Sequence, residues 1–258
     1  MSIEVDVKEL LQAGAHFGHK TSRWHPKMAP YIHSKREGTH IIDLTKTVEC
    51  LEAVLPFITK TVSEGKQILL VGTKKQAKDI VHKAAVDTNM PFVTERWVGG
   101  MLTNKKTIGE RIKHLKDLEA KMDSGQLESK YNKLEVQRYQ EEIDLMNHIY
   151  GGIKDLAVKP GAVFVVDVLN ENNALKEAKK LGLKTIAIAD TNTNPSDIDF
   201  PIPANDDAIK TIQLIVDYIT KAINEGKLKQ KTSKVEDKVS DSEPVKVVEK
   251  PVVGSVQG

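Results

Sequence analysis

The chain has 258 residues, 40% of them apolar, with 38 basic and 36 acidic side chains and a net charge of +2. That apolar share is enough for a buried core and excludes wholesale disorder, while a single cysteine, Cys50, excludes an internally disulfide-stapled fold. An acidic opening (MSIEVDVKELL) and the lack of any apolar run near ~18 residues lead us to expect a soluble, cytoplasmic chain with neither signal peptide nor membrane span.

From Ala13 to Ile32 the chain is rich in glycine, proline, histidine and basic residues, and it reads as an irregular surface arm. Ammonium and guanidinium groups at Lys20, Arg23, Lys27 and Arg36 could meet phosphates, with Trp24 and Tyr31 packing or stacking. An ordinary arm packed on a domain has the same composition. His16, His19, His25, His33 and His40 crowd this region, but without HExxH or CxxC spacing. Hydrogen bonding to a loop is their plainer role.

A helix is expected over Thr45–Glu64, then a strand at Ile68–Val71, then a helix over Lys74–Thr88. The junction Val71-Gly72-Thr73-Lys74-Lys75-Gln76 carries a strand end into a helix start. In open α/β sheets anions bind at such places, and Lys74 and Lys75 would strengthen one. Neither GxGxxG nor GxxxxGK[ST] is present, so a nucleotide pocket is poorly supported, and a bare turn with solvated lysines explains the segment as well.

A second short strand, Phe92-Val93, leads into Glu95-Arg96-Trp97-Val98-Gly99-Gly100-Met101-Leu102-Thr103-Asn104-Lys105-Lys106. Paired glycines permit close backbone approach, and Arg96, Lys105 and Lys106 supply positive charge for a phosphate backbone. A solvated helix face would explain the basic residues further on. Between Thr103 and Gly151 no strand signal appears. Ile108, Ile112, Leu115 and Met122, then Tyr139, Ile143, Met146 and Tyr150, follow helical spacing about a break at Asp123-Ser124-Gly125. We read an antiparallel coiled-coil hairpin.

Strands at Ala162–Val166, Thr185–Ala189 and Phe200–Pro203 alternate with helices at Asn172–Leu181 and Asp206–Asn224. Continuous apolar strands alternating with helices predict an α/β fold, a doubly wound parallel sheet of about five strands. The domains are then 1–104 with 152–226 as the α/β unit and its arm, 105–151 as an inserted hairpin, and 227–258 as a disordered tail without aromatic residues. Asp167 and Asp190 end two strands and could act as bases or hold magnesium, although capping the following turns is the commoner role. If the arm folds across the strand ends, His19, Asp190 and Asp206 could together hold zinc or another divalent ion. Helix capping, turn capping and backbone hydrogen bonding are the alternatives for the three.

Five segments in order, GAHFGHKTSRWHPKMAPYI, IHSKREGTHIIDLTKT, LLVGTKKQA, ERWVGGMLTN and IAIADTNTNPSDIDFPIPANDDA, resemble the bacterial small-subunit ribosomal protein family S-two. The resemblance runs from about Val7 to Glu225. It implies a flavodoxin-like domain with a protruding coiled-coil hairpin, and a structural component of the small ribosomal subunit that requires no cofactor and performs no catalysis. It also implies binding to rRNA at the neck of the subunit and recruitment of the large mRNA-binding protein S-one. Combined with the charge pattern, it assigns rRNA contacts to Lys20, Arg23, Trp24, Lys27, Arg36, Lys74, Lys75, Arg96, Trp97, Asn104, Lys105 and Lys106. The competing expectation is an α/β enzyme acting on a phosphorylated small molecule near Lys74 and Asp190.

Overall fold

The computed structural model describes residues 3–156 and 159–240, with side chains as far as 232. Helix α1 (Val7–Ala13) starts at Asp6, whose carboxylate accepts from the Lys8 N–H at 2.7 Å. It stops at Gly14, where φ is 81°. Strands β1 (Phe17–Lys20), β2 (Ile32–Arg36) and β3 (Thr39–Ile42) then form an antiparallel sheet in the order β1-β3-β2. The arm is thus more regular than its composition suggested. The overlooked signal is Glu37-Gly38, a two-residue turn with φ of 51° and 77° between the paired Arg36 and Thr39. Positive φ at both central positions is what a tight hairpin of matching twist requires.

The main domain runs α2 (Leu44–Ser63), β4 (Ile68–Val71), α3 (Lys78–Thr88), β5 (Phe92–Val93), α4 (Lys105–Asp123), α5 (Gln126–Lys130), α6 (Lys133–Tyr150), β6 (Ala162–Val165), α7 (Asn172–Lys180), β7 (Lys184–Ala189), β8 (Phe200–Pro203) and α8 (Ile209–Ser240). Its five strands are all parallel, ordered β5-β4-β6-β7-β8. Renumbered within the sheet this is 2-1-3-4-5, the flavodoxin-like order, with its switch point between β4 and β6. Alternate residues of each strand enter two separate cores. Ile68, Leu70, Phe164 and Ile186 pack with α2, α3 and α8, while Leu69, Val71, Val163, Val165 and Ala187 pack with α7 and the segment Trp97–Leu102. Burial on both faces is why these strands show no polar alternation.

Several boundaries differ from expectation, the start of the last helix (Ile209 rather than Asp206) among them. Helix α3 begins at Lys78 rather than Lys74, residues 74–77 forming a turn in which the Lys74 carbonyl accepts from the Ala77 and Lys78 N–H groups. The Thr73 N–H donates to Glu171 at 2.8 Å and the Lys74 side chain turns into a group of carboxylates. The final helix does not stop at Asn224. It continues to Ser240, so residues 227–240 of the expected disordered tail are helical, and residues 241–258 lie outside the described residues. Once a helix is nucleated, here by α8 packing on α2, propagation through good helix formers such as Lys, Gln and Glu adds one bond per residue. The Lys229–Glu225 pair at 2.8 Å supports it. Lastly, the simple turn expected within the hairpin contains α5, whose Leu127 is buried. Helices α4 and α6 share a small core of their own, Leu115, Leu118, Ile143 and Met146, while Ile108 and Ile112 join the core of the main sheet and Tyr150 packs against both.

Candidate nucleic-acid interface and the acidic crevice beside it

Of the basic side chains assigned to phosphate binding, Lys20, Arg23, Lys27, Arg36, Lys75, Arg96, Lys105 and Lys106 are exposed. Trp24 is 39% exposed, with its ring centroid 5.1 Å from that of the buried His40. The arm carrying four of these cations is fastened to the carboxyl end of β7 by Thr191. This threonine, fully buried, accepts the His19 N–H on its hydroxyl and the His25 N–H on its carbonyl, both at 2.8 Å. Gly18 makes the approach possible, since a Cβ there would sit 2.5 Å from Cγ2 of Thr191. Sequence reasoning missed Thr191. Its position in the turn-forming run Asp190-Thr191-Asn192-Thr193-Asn194-Pro195 was the available signal.

The loop from Glu95 to Lys106 leaves β5 and is held on α7 rather than lying free. Trp97, Met101 and Leu102 are buried in the core beneath it. Trp97 is therefore not a surface ring for a base to stack on. It is 8% exposed and its Nε1 donates to Glu177 at 3.1 Å, because a large aromatic surface gains more from the core than from water. Glu177 was not singled out by sequence reasoning. Its two oxygens also accept the N–H groups of Gly100 (2.7 Å), Leu102 (3.0 Å) and Thr103 (3.0 Å), and the Thr103 hydroxyl at 3.0 Å. Burial alone would raise its pKa, but these donors prevail and hold the carboxyl below its ordinary range. Asn104 then caps α4 by accepting the Thr107 N–H, so Lys105 and Lys106 stand on the exposed first turn.

Lys74 has a different fate from the one its sequence context suggested. It is not a free cation for phosphate. Its ammonium lies 2.7 Å from Asp207, 2.8 Å from Asp206 and 3.2 Å from Asp167, and its side chain is 13% exposed. Burial opposes its charge, yet these carboxylates hold its pKa above the ordinary lysine value. The position is the β4/β6 switch point, where an enzyme of this fold would place its ligand. Here the chain's own ammonium occupies it. Asp167 also accepts the N–H groups of Leu169 (2.8 Å) and Asn170 (3.1 Å), capping the turn after β6.

Asp206 is 1% exposed, and burial, with Asp167 and Asp190 nearby, pushes its carboxyl up to about 7 despite the lowering pull of Lys74. Several carboxylates face one ammonium here, and the raised value of Asp206 is the consequence. Asp206 does not cap the last helix. Asn205 closes the turn ahead of that helix, its Oδ1 accepting from the N–H groups of Asp207 (2.8 Å) and Ala208 (3.1 Å). His19 brings its Nδ1 to 3.0 Å from Asp190 and its Nε2 to 3.6 Å from Asp207. The hydrogen bond to Asp190 raises its pKa above 6.5, with Asp206 and Asp207 adding to this against burial. The imidazole, Asp206 and Asp207 place candidate ligand atoms within 4.8 Å of one another. Asp190 instead orients the ring from behind and accepts the Thr191 hydroxyl at 3.1 Å. His19, Asp190 and Asp207 line a cleft of about 550 Å³ together with Lys20, Ser22 and Arg23.

The comparisons with known proteins agree with one another. The family model described as Ribosomal protein S2 matches residues 10–226. The protein of Coprothermobacter proteolyticus named small ribosomal subunit protein uS2 is 47% identical over 223 residues, covering 86% of this chain and 83% of its own. Proteins of the same name from Dehalococcoides mccartyi (46% over 231 residues, 90% and 94% covered) and Chloroflexus aggregans (45% over 229 residues, 89% and 96% covered) are similarly close. The matched span takes in the arm, the five-stranded sheet and the inserted helices, and on this ground the chain belongs to the ribosomal protein S2 family.

Proposed function

We propose that the chain is a non-catalytic structural component of the small ribosomal subunit and that its exposed basic groups contact the rRNA backbone. Family membership supports the structural role and disfavours the enzyme reading. The observation that carries the rRNA reading is the exposure of Arg96, Lys105 and Lys106 on one braced loop and of Lys20, Arg23, Lys27 and Arg36 on one clipped arm. Exposed cations on a rigid frame suit phosphates, which position a protein on RNA without reading its sequence. Lys75, Trp24 and Asn104 are exposed as well. Lys74 and Trp97 are left out of it, for the reasons given above. Neighbouring proteins of the subunit, the large mRNA-binding protein S-one among them, are the partners expected from the family resemblance, and the cytoplasm is the compartment.

The donor set of His19, Asp206 and Asp207 fits a divalent ion such as zinc, which accepts one imidazole and carboxylate oxygens. Asp207 takes the place first given to Asp190, because Asp190 is engaged on the far nitrogen of the ring. Such an ion would brace the arm against the sheet, with the Asp206 and Asp207 oxygens shared with or released by Lys74.

Charge reversal at Arg96, Lys105 and Lys106 together tests the rRNA reading. Incorporation into small subunits lacking this protein should weaken. Its dependence on salt should flatten by roughly one counterion for each phosphate that is no longer neutralised. Unchanged occupancy across a salt series would overturn it.

A further inference from the structure

The geometry points to Glu177 as the positioning residue that shapes the Arg96–Lys106 loop for RNA binding. This rests on the rRNA reading of that loop and adds the group responsible for its geometry. Three backbone N–H groups, from Gly100, Leu102 and Thr103, converge on one carboxylate together with the Trp97 indole and the Thr103 hydroxyl. A loop of this kind, rich in glycine and with several N–H groups turned inward, is the usual cradle for a bound anion. Here the anion is supplied by α7, a helix seated on the sheet through Ala174, Leu175 and Ala178.

Two consequences follow. The inward N–H groups are spent, so the loop can offer RNA its outward cations but not this part of its backbone. And the start of α4 is tied to the rigid sheet through Glu177. The Asn104 N–H donates to the Gly100 carbonyl at 2.8 Å, and Gly100 holds φ of 91° while its own N–H is bound by Glu177. Lys105 and Lys106 follow directly.

Replacing Glu177 with glutamine keeps size and shape but turns one oxygen into an N–H₂ group. Whichever way the amide sits, that group faces donors instead of accepting from them. Removing an acid beside a polyanion site should by charge alone strengthen binding to RNA. Positioning demands the opposite sign, which is the readout that a purely electrostatic role would not move.

The experiment competes full-length E177Q with wild type for incorporation into small subunits lacking this protein, across a potassium chloride series. Amide exchange is followed in parallel. The expected result is roughly tenfold weaker competition, a flatter salt dependence although no basic residue was changed, and faster exchange at Gly100, Leu102 and Thr103 with β4, β6 and β7 unaltered. Wild-type or tighter incorporation by E177Q, while the triple charge reversal still weakens it, overturns the role of Glu177 and leaves the rRNA reading standing. Faster loop exchange without weaker incorporation overturns it too. If the triple reversal has no effect, the rRNA reading of the loop itself falls. Should E177Q fail to fold, Thr103→Val, which removes one of the five donors, decides in the same assays by a smaller shift of the same sign or by none.

Discussion

Replacing Lys74 with methionine should destabilise this protein, and more so above about pH 7 than below it. Methionine preserves much of the apolar stem but deletes the ammonium that lies 2.7–3.2 Å from Asp167, Asp206 and Asp207. Taking one partner from a buried ion pair costs about 3–5 kcal/mol, because the remaining charges lose their compensation. Protonation relieves part of that cost. Asp206 titrates at about 7 in the folded protein against an ordinary 3.8, so the folded state holds a proton that the unfolded state releases. The stability linked to this group is therefore present below about 3.8 and lost as pH rises through about 7. Removing Lys74, which lowers the Asp206 value, moves the folded midpoint higher still, so the mutant goes on losing stability at pH values where wild type has stopped. The penalty should be about 3–5 kcal/mol at about pH 8 and about 1.4 kcal/mol smaller at about pH 5, because only about one pH unit separates the wild-type midpoint of about 7 from the higher pH and each unit is worth about 1.36 kcal/mol. Urea unfolding of wild type and K74M at both pH values measures this, with an unchanged m-value confirming that the surface exposed is the same. A penalty equal at the two pH values would refute the shared-proton account, and one below about 0.5 kcal/mol would show that Lys74 is not held by the carboxylates.

Thr191→Val should loosen the basic arm. It leaves the His19 N–H without its acceptor, a cost of about 1–3 kcal/mol, read as a lower thermal midpoint and faster exchange at His19. A midpoint within about 1 °C of wild type would show that the arm is held elsewhere. Metal analysis of zinc-replete, chelator-free protein should find stoichiometric zinc in the wild type and little in His19→Ala or Asp207→Ala. A metal-free wild type would return these side chains to the network of hydrogen bonds and ion pairs they already form.

The sequence by itself determined the sheet. Ile68–Val71, Ala162–Val165 and Lys184–Ala189 are recognisable because a strand buried on both faces needs an unbroken apolar run, and the helices between them carry their own period. The helical region from Lys105 to Tyr150 was legible for the same reason, as were most of the exposed cations. What the tertiary structure decided is the fate of individual polar side chains. Lys74 and Lys75 are adjacent and chemically alike, yet one is enclosed by carboxylates and the other faces solvent. One of the partners that capture Lys74 is Asp206, 132 residues away, and Glu177 reaches the loop across 74 to 80 residues. The same holds for Thr191, which clips His19 from 172 residues away. Apolar periodicity is a local property, repeated along every element and so readable in one dimension. The pairing of a single charge or hydroxyl is settled by which chain segments the packed sheet brings together, and that information exists only once the sheet has formed.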